Sequence, residues 1–148
     1  MLSIPTEESI TVEWFNACFA KAGLTGEVNG FDAARVGTGQ IGKCVRYTLR
    51  FADQGELPKS VIGKFPSDDE NSRQTGVVLL NFLKEVKFYQ ELQQRVAIKT
   101  PRCYFAEIID QGPEFFLLLQ DLAPAQQGDQ LAGCSPQVAK AALAELVG

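Results

Sequence analysis

The chain carries a glycine-rich stretch, Gly37-Thr38-Gly39-Gln40-Ile41-Gly42, whose spacing is compatible with three phosphate-binding patterns. In a dinucleotide-binding unit or a Walker-type loop, such a turn leads into a helix whose N-terminal amides hold the phosphates. The residues after Gly42 instead alternate between apolar and polar side chains, which is the period of a half-buried strand. The turn is therefore predicted to join strand to strand. The apolar members are Val45, Tyr47, Leu49 and Phe51, and the polar ones are Arg46, Thr48 and Arg50.

Two other interpretations of the glycine stretch stay open at this point. Counted from Gly37, Gly42-Lys43-Cys44 imitates the end of a Walker motif, but Cys44 stands where a hydroxyl would meet magnesium. A glycine-rich hairpin that binds no ligand is the expectation for such a stretch on its own. Residues further along the chain have to decide.

A lysine and a glutamate further along the chain distinguish among these interpretations of the glycine stretch. Lys64 lies in a short apolar run with Val61, Ile62 and Phe65, where a solitary lysine is often an edge-strand charge facing water. Glu85 lies in residues 77–96, where apolar side chains recur at spacings of three and four and predict one long helix. Those apolar side chains are Val78, Phe82, Tyr89, Leu92 and Val96.

Glu85 falls inside this apolar stripe at about 100° per residue, so its carboxylate is predicted to face the protein. Burying an ionised carboxylate without a partner is costly, so the chain should supply a cation to meet it. Lys64 is our candidate for that cation. The alternative is that Glu85 sits at the rim of the stripe and reaches solvent.

Four segments together resemble the N-terminal lobe of the aminoglycoside phosphotransferase and ecdysteroid-kinase-like superfamily of small-molecule kinases. The start of a leading helix, Thr11-Val12-Glu13-Trp14, is similar to that of the ecdysteroid-kinase-like branch. The resemblance covers most of the chain. The four segments are Gly37-Thr38-Gly39-Gln40-Ile41-Gly42, Val61-Ile62-Gly63-Lys64-Phe65, Glu85-Val86-Lys87-Phe88-Tyr89 and Leu117-Leu118-Leu119-Gln120-Asp121-Leu122.

The resemblance implies an α+β fold, a protein-kinase-like small lobe. Its five-stranded antiparallel sheet would have a long helix after the third strand, with an N-terminal helix and a C-terminal helix in addition. Residues 1–123 would form the ATP-binding lobe, with the leading helix at about residues 11–23. Residues 124–148 would form a linker and the first helix of a larger C-terminal lobe.

The resemblance also implies roles for individual residues. The glycine stretch, Gly37, Thr38, Gly39, Gln40, Ile41 and Gly42, would cover the phosphates of ATP. Lys64 would contact the α- and β-phosphates, and Glu85 would hold that lysine in position. A hinge would read the adenine edge through its backbone, and it comprises Leu119, Gln120, Asp121 and Leu122. Val45 follows Gly42 by three residues rather than the two of eukaryotic protein kinases, so the side chain that roofs the adenine is not assigned.

The family's catalytic aspartate lies in a His-Gly-Asp type loop, and an asparagine and a second aspartate bind magnesium, all in the C-terminal lobe. This chain contains no histidine. We therefore expect no catalytic or metal-binding residue within it, and we place those groups beyond Gly148. Phosphotransfer by the chain alone is not expected, because positioning and charge stabilisation need the general base and the metal ligands together.

Capping residues and turn residues place the remaining elements. Thr11 can cap a helix over residues 12–22, with Gly23 as its stop. Strands are predicted at residues 31–36, 104–109 and 115–119. Ser135-Pro136 opens a last helix, which would dock on the larger lobe or on a second copy of the chain as a homo-oligomer.

Composition excludes some classes of function. With 148 residues and a net charge of -4, the chain is not expected to bind nucleic acid or an anionic membrane. Its N-terminus lacks a basic region followed by an apolar core, and a cytoplasmic location is expected. The four cysteines are scattered without a CxxC pair, and they are predicted to be reduced, mostly buried thiols: Cys18, Cys44, Cys103 and Cys134.

Two classes of function follow from the sequence. The first is the ATP-binding lobe of a phosphotransferase that moves the γ-phosphate to a hydroxyl of a small molecule, with ATP and magnesium as cofactors. The second is a binding or interaction module that keeps the small-lobe fold without catalysis. The sequence does not identify the acceptor alcohol.

Overall fold

The computed structural model describes residues 2–37, 41–126, 128–129 and 131–147, and they form an α+β fold on one open antiparallel sheet. Its strand order is β1-β2-β3-β5-β4. The predicted five antiparallel strands are thus confirmed. The strands are β1 (Glu27–Val36), β2 (Gly42–Asp53), β3 (Ser60–Pro66), β4 (Cys103–Ile108) and β5 (Phe115–Gln120).

Strand β1 begins four residues earlier than the sequence predicted. Asn16 explains the extension, because its side chain pairs with both backbone groups of Val28, at 2.8 Å to the nitrogen and 3.0 Å to the oxygen. The register shifts on both sides of Val28, between Glu27 and Val28 and between Val28 and Gly30. That irregularity interrupts the alternation that sequence patterns detect.

Helix α1 (Val12–Lys21) follows its predicted boundaries closely. The Thr11 hydroxyl accepts a hydrogen bond from Trp14 N, and Gly23 adopts a φ of +75° just past the helix end. The buried face of α1 packs on one side of the sheet, where it forms the larger core cluster. That face comprises Trp14, Phe15, Cys18 and Phe19.

The single long helix predicted over residues 77–96 is wrong. The segment contains α2 (Glu70–Val78), α3 (Asn81–Lys87), a π-helical turn (Phe88–Leu92) and a 3-10 turn (Gln93–Arg95). Leu80, with a φ of +56°, separates α2 from α3. The predicted apolar stripe splits accordingly: Phe82 is 2% exposed, but Val78 is 67% exposed.

The break between α2 and α3 allows α3 to pack on the side of the sheet opposite α1. There Phe82 and Val86 of α3 pack against Phe115 and Leu117 of β5. Helix α2 begins early because Asp69 caps it, accepting a hydrogen bond from Ser72 N at 2.8 Å. The negative charge of Asp69 also complements the dipole at the N-terminus of α2.

The last helix, α4 (Pro136–Glu145), begins as predicted after Ser135, whose hydroxyl accepts a hydrogen bond from Val138 N. Its apolar side chains are exposed, at 57% for Val138, 61% for Leu143 and 70% for Leu146. None of the helices in the described part of the chain has the length and apolar character needed to cross a membrane.

Candidate functional site

The alternation of β3 sends its side chains to the two sides of the sheet. Val61 and Phe65 are buried in the core beneath α1. Lys64 therefore points to the other side, where α3 lies. The strand register places Cys44 of β2 and Leu117 of β5 directly beside Lys64. This side of the sheet, next to Lys64, is the candidate site.

Lys64 and Glu85 form an ion pair at this face. The ammonium Nζ of Lys64 lies 2.6 Å from both Oε1 and Oε2 of Glu85. The predicted contact between the two side chains is confirmed. Neither is sealed from water, since 27% of the Lys64 side chain and 32% of the Glu85 side chain are exposed. Glu85 thus faces the sheet from the rim of the packed helix rather than from its core.

Gly42 is buried and packs closely beside the lysine. A Cβ at this position would lie 3.5 Å from Lys64 Cε and 3.0 Å from the backbone oxygen of Phe65. Gly42 is also the first residue of β2. The residues after Gly42 thus form a strand, whereas a Walker-type or dinucleotide-binding loop requires a helix after its glycines. The Walker-type alternative is therefore wrong.

Gly37 and Ile41 lie at the two ends of the glycine stretch. Gly37 has a φ of +75°, and the carbonyl of Ile41 accepts a hydrogen bond from Ser67 N at 3.3 Å. Ile41 also packs against the core cluster that contains Phe82. The predicted phosphate-covering residues Thr38, Gly39 and Gln40 lie outside the described residues.

Cys44, rather than Val45, shares the sheet face with Lys64. Val45 is 1% exposed and belongs to the core beneath α1. Burial raises the pKa of the Cys44 thiol, and the nearby charge of Lys64 opposes that rise. Sequence reasoning did not place Cys44 at the site. Its position two residues after Gly42, on the strand that follows the glycine stretch, could have indicated that it lies near Lys64.

The other thiols differ in burial. Cys18 is buried and Cys103 partly so, and burial raises the pKa of Cys18 to about 12 and that of Cys103 to about 11. Cys134 is exposed, which corrects the expectation of mostly buried thiols. No two of these thiols are bonded to each other.

The predicted hinge begins as β5 and ends as loop. Leu119 and Gln120 close the strand, with Leu119 8% exposed in the core next to α3. Leu122 is 52% exposed. Between them Asp121 turns inward, and only 4% of its side chain is exposed.

Asp121 ties this segment to the sheet. Arg46 donates two hydrogen bonds to its carboxylate, from Nε at 2.6 Å and from Nη2 at 3.1 Å. The Ser60 hydroxyl and the Ala123 backbone nitrogen donate two more, at 2.7 Å and 3.0 Å. Burial alone would raise the pKa of Asp121, but these hydrogen bonds and the charge of Arg46 lower it. Sequence reasoning did not find this network, whose one signal was an arginine at a polar position of β2.

No three side chains of His, Cys, Asp or Glu among the described residues group together as metal ligands. A cavity of about 850 Å³ elsewhere on the protein is lined by neither Lys64 nor Glu85. The face that carries the ion pair is partly covered by α3, which packs on β5 beside it.

No protein-family model matches the chain, and no curated protein matches its sequence.

Proposed function

We propose that this chain is the ATP-binding lobe of a kinase-like phosphotransferase that transfers the γ-phosphate of ATP to a hydroxyl of a small molecule. The observation that carries the proposal is the contact between Lys64 and Glu85 at 2.6 Å, with both side chains partly exposed. The order of elements supports it, since α2 and α3 lie between β3 and β4, where the resembled lobe has its long helix. The family assignment is part of the same proposal.

The chemistry of the pair suits a phosphate site. A lysine ammonium has three donors and acts as a point charge toward phosphate oxygens. Glu85 fixes that ammonium in place and offsets its charge when no nucleotide is bound. The pair is partly exposed, so a phosphate oxygen can reach Lys64 without the protein opening.

The surroundings of Lys64 fit a nucleotide. Gly42 has no side chain, so the start of β2 packs closely against the lysine stem. Two partly exposed side chains on the same face as Lys64, Cys44 and Ile62, offer an apolar surface against which a planar base can lie. The network around Asp121 holds the segment after β5 at the edge of that surface.

ATP bound with magnesium supplies the transferable phosphoryl group, and the metal neutralises charge as that group moves. In our proposal the residues of this chain bind and orient the nucleotide. Lys64 binds phosphate oxygens, Glu85 positions Lys64, and Cys44 and Ile62 cover the base. The general base and the magnesium ligands belong to the C-terminal lobe that the resemblance implies.

Nucleotide titration tests the proposal. We expect calorimetry to detect ATP binding by the wild-type chain, and we expect Lys64→Ala to weaken it at least tenfold, because the phosphates lose their cation. Lys59→Ala is the matched control, since Lys59 is an exposed lysine just before β3. Equal affinity in all three proteins removes Lys64 from the site. No ATP binding by the wild-type chain, with or without magnesium, contradicts the proposal and favours a non-nucleotide interaction module.

A further inference from the structure

A cavity of about 850 Å³ lies at the end of the sheet where β2 begins and β3 ends. One wall is the N-terminal segment 2–8, and the opposite wall is formed by the end of β4 and the start of β5. Trp14 holds the N-terminal segment in place, because its indole nitrogen donates to the Ser3 carbonyl at 3.2 Å. The volume falls within the range of about 300–1,000 Å³ typical of sites for one small organic molecule.

The cavity is acidic. Its lining contains two cationic side chains, Lys43 and Arg73. Five carboxylates also line it: Glu7, Glu8, Asp68, Glu107 and Glu114.

Both cations are already engaged. Lys43 Nζ lies 2.7 Å from Glu7 and 2.6 Å from Asp68, with 12% of its side chain exposed. Arg73 Nη1 donates to the backbone carbonyls of Ser67 and Asp68, at 2.9 Å and 2.8 Å. The cations thus satisfy acceptors of the protein itself.

Three carboxylates in the lining are left without a cationic partner. Within the described ranges, no lysine or arginine nitrogen lies within 4.0 Å of Glu8, Glu107 or Glu114. An anionic ligand would therefore meet repulsion in the cavity, and a cation would meet attraction.

The rest of the lining is largely apolar, and it includes Leu2, Ile4, Phe65, Ile108 and Phe115. Apolar side chains bury the body of a ligand, while a few polar groups set its orientation and charge. We propose that this cavity binds an amphiphilic amine, a small organic cation with an apolar body. The proposal is independent of nucleotide binding, because the cavity does not include Lys64 or Glu85.

Three probes with one carbon skeleton test the charge preference: 4-phenylbutylamine, 4-phenylbutan-1-ol and 4-phenylbutyrate. Amide chemical shifts of 15N-labelled protein locate and quantify their binding. We expect the amine to shift residues that line the cavity and to bind about tenfold more tightly than the alcohol at low salt. The preference should shrink at higher ionic strength, because salt screens the exposed carboxylates.

Two variants place the binding in this cavity. Glu107→Gln/Glu114→Gln removes two charges at constant shape and should bring the affinity for the amine close to that for the alcohol. Glu27→Gln is the matched control, since Glu27 is exposed on β1 and outside the lining. Ile109→Trp should abolish binding of every probe by filling the cavity, and the fold should tolerate it because Ile109 is 51% exposed.

Several results would overturn the proposal. The first is equal binding of the amine, the alcohol and the carboxylate. The second is amine binding that persists in a folded Ile109→Trp variant. The third is a set of chemical-shift changes confined to residues outside the cavity lining. Failure to detect the amine at millimolar concentration would overturn it as well. None of these results bears on ATP affinity.

Discussion

Lys64 and Glu85 meet at 2.6 Å although they lie 21 positions apart in the chain and on different elements, β3 and α3. Helix α3 can present Glu85 to the sheet because Phe82 and Val86, on either side of it in sequence, are buried against β5. The apolar packing of one short helix therefore fixes the position of a charged group beside Lys64.

Glu85→Gln should separate positioning from stability. We expect the free energy of unfolding to change by less than about 1 kcal/mol, because partly exposed ion pairs contribute little. ATP affinity should fall by about three- to tenfold, because Lys64 loses the group that orients it. Urea unfolding and calorimetry measure the two quantities. Glu91→Gln is the control, since it breaks an exposed pair with Lys87 of 2.9 Å. A large loss of stability with unchanged ATP affinity would mean that the pair is only structural.

Cys44 offers a chemical reporter of the site. In a Cys134→Ser background, which removes the exposed thiol, we expect iodoacetamide to modify Cys44 slowly, because burial raises the pKa of its thiol. ATP should slow the reaction further by covering the sheet face. Mass spectrometry of peptides follows the modification, and Cys18, in the core on the other side of the sheet, is the internal control. Unchanged modification of Cys44 at saturating ATP would place the nucleotide elsewhere.

Asp121→Asn should destabilise the fold in a pH-dependent way. The folded-state pKa of Asp121 is lowered, so its carboxylate stabilises the fold above its unfolded pKa of about 3.9. The contribution is lost as the pH falls through the folded pKa. At pH 7 we expect a loss of about 1–3 kcal/mol, since Arg46 loses a charged partner. The difference from wild type should shrink below about pH 4.

Urea unfolding at pH 7 and at pH 3 measures the effect of Asp121→Asn. Asp53→Asn is the control, because Asp53 is exposed and asparagine can still accept its hydrogen bond from Gly55 N. A difference between Asp121→Asn and wild type that stays constant over this pH range would contradict the role given to the carboxylate.

Gly76→Ala should destabilise the contact between α2 and its neighbours. A Cβ at this position would lie 2.3 Å from Phe82 Cζ and 2.9 Å from Ile41 Cγ2. Overpacking of this kind costs about 1–3 kcal/mol, which exceeds the gain in helix propensity of about 1 kcal/mol. Thermal unfolding measures the change. Gly128→Ala is the control, because a Cβ there meets no atom within 4 Å. Equal stability of the two variants would show that α2 can move away from Phe82.

Local patterns predicted much of this fold. Thr11 and Ser135 marked the helix starts, and the alternation after Gly42 identified β2. The contact of Lys64 with Glu85 was also predicted from sequence, although the long apolar stripe behind that prediction does not form; Phe82 and Val86 of the short α3 present Glu85 to the sheet instead.

Other features depended on contacts that sequence patterns do not encode. Leucine rarely adopts a positive φ, so nothing in the sequence marked Leu80 as the break between α2 and α3. Strand register determines that Cys44, and not Val45, lies on the same face of the sheet as Lys64. The bond between Arg46 and Asp121 joins residues 75 positions apart, a distance at which helical and strand periodicities carry no information.

The affinities of ATP, ADP and adenosine, measured for wild type and Lys64→Met, test the central claim most directly. If Lys64 binds phosphate, the wild-type chain should bind ATP at least tenfold more tightly than adenosine, with ADP between them. In Lys64→Met the three affinities should converge on that of adenosine, because methionine keeps the apolar stem and removes the charge. Equal affinities for the three ligands in the wild type, or a preference for ATP that persists in Lys64→Met, would contradict the account.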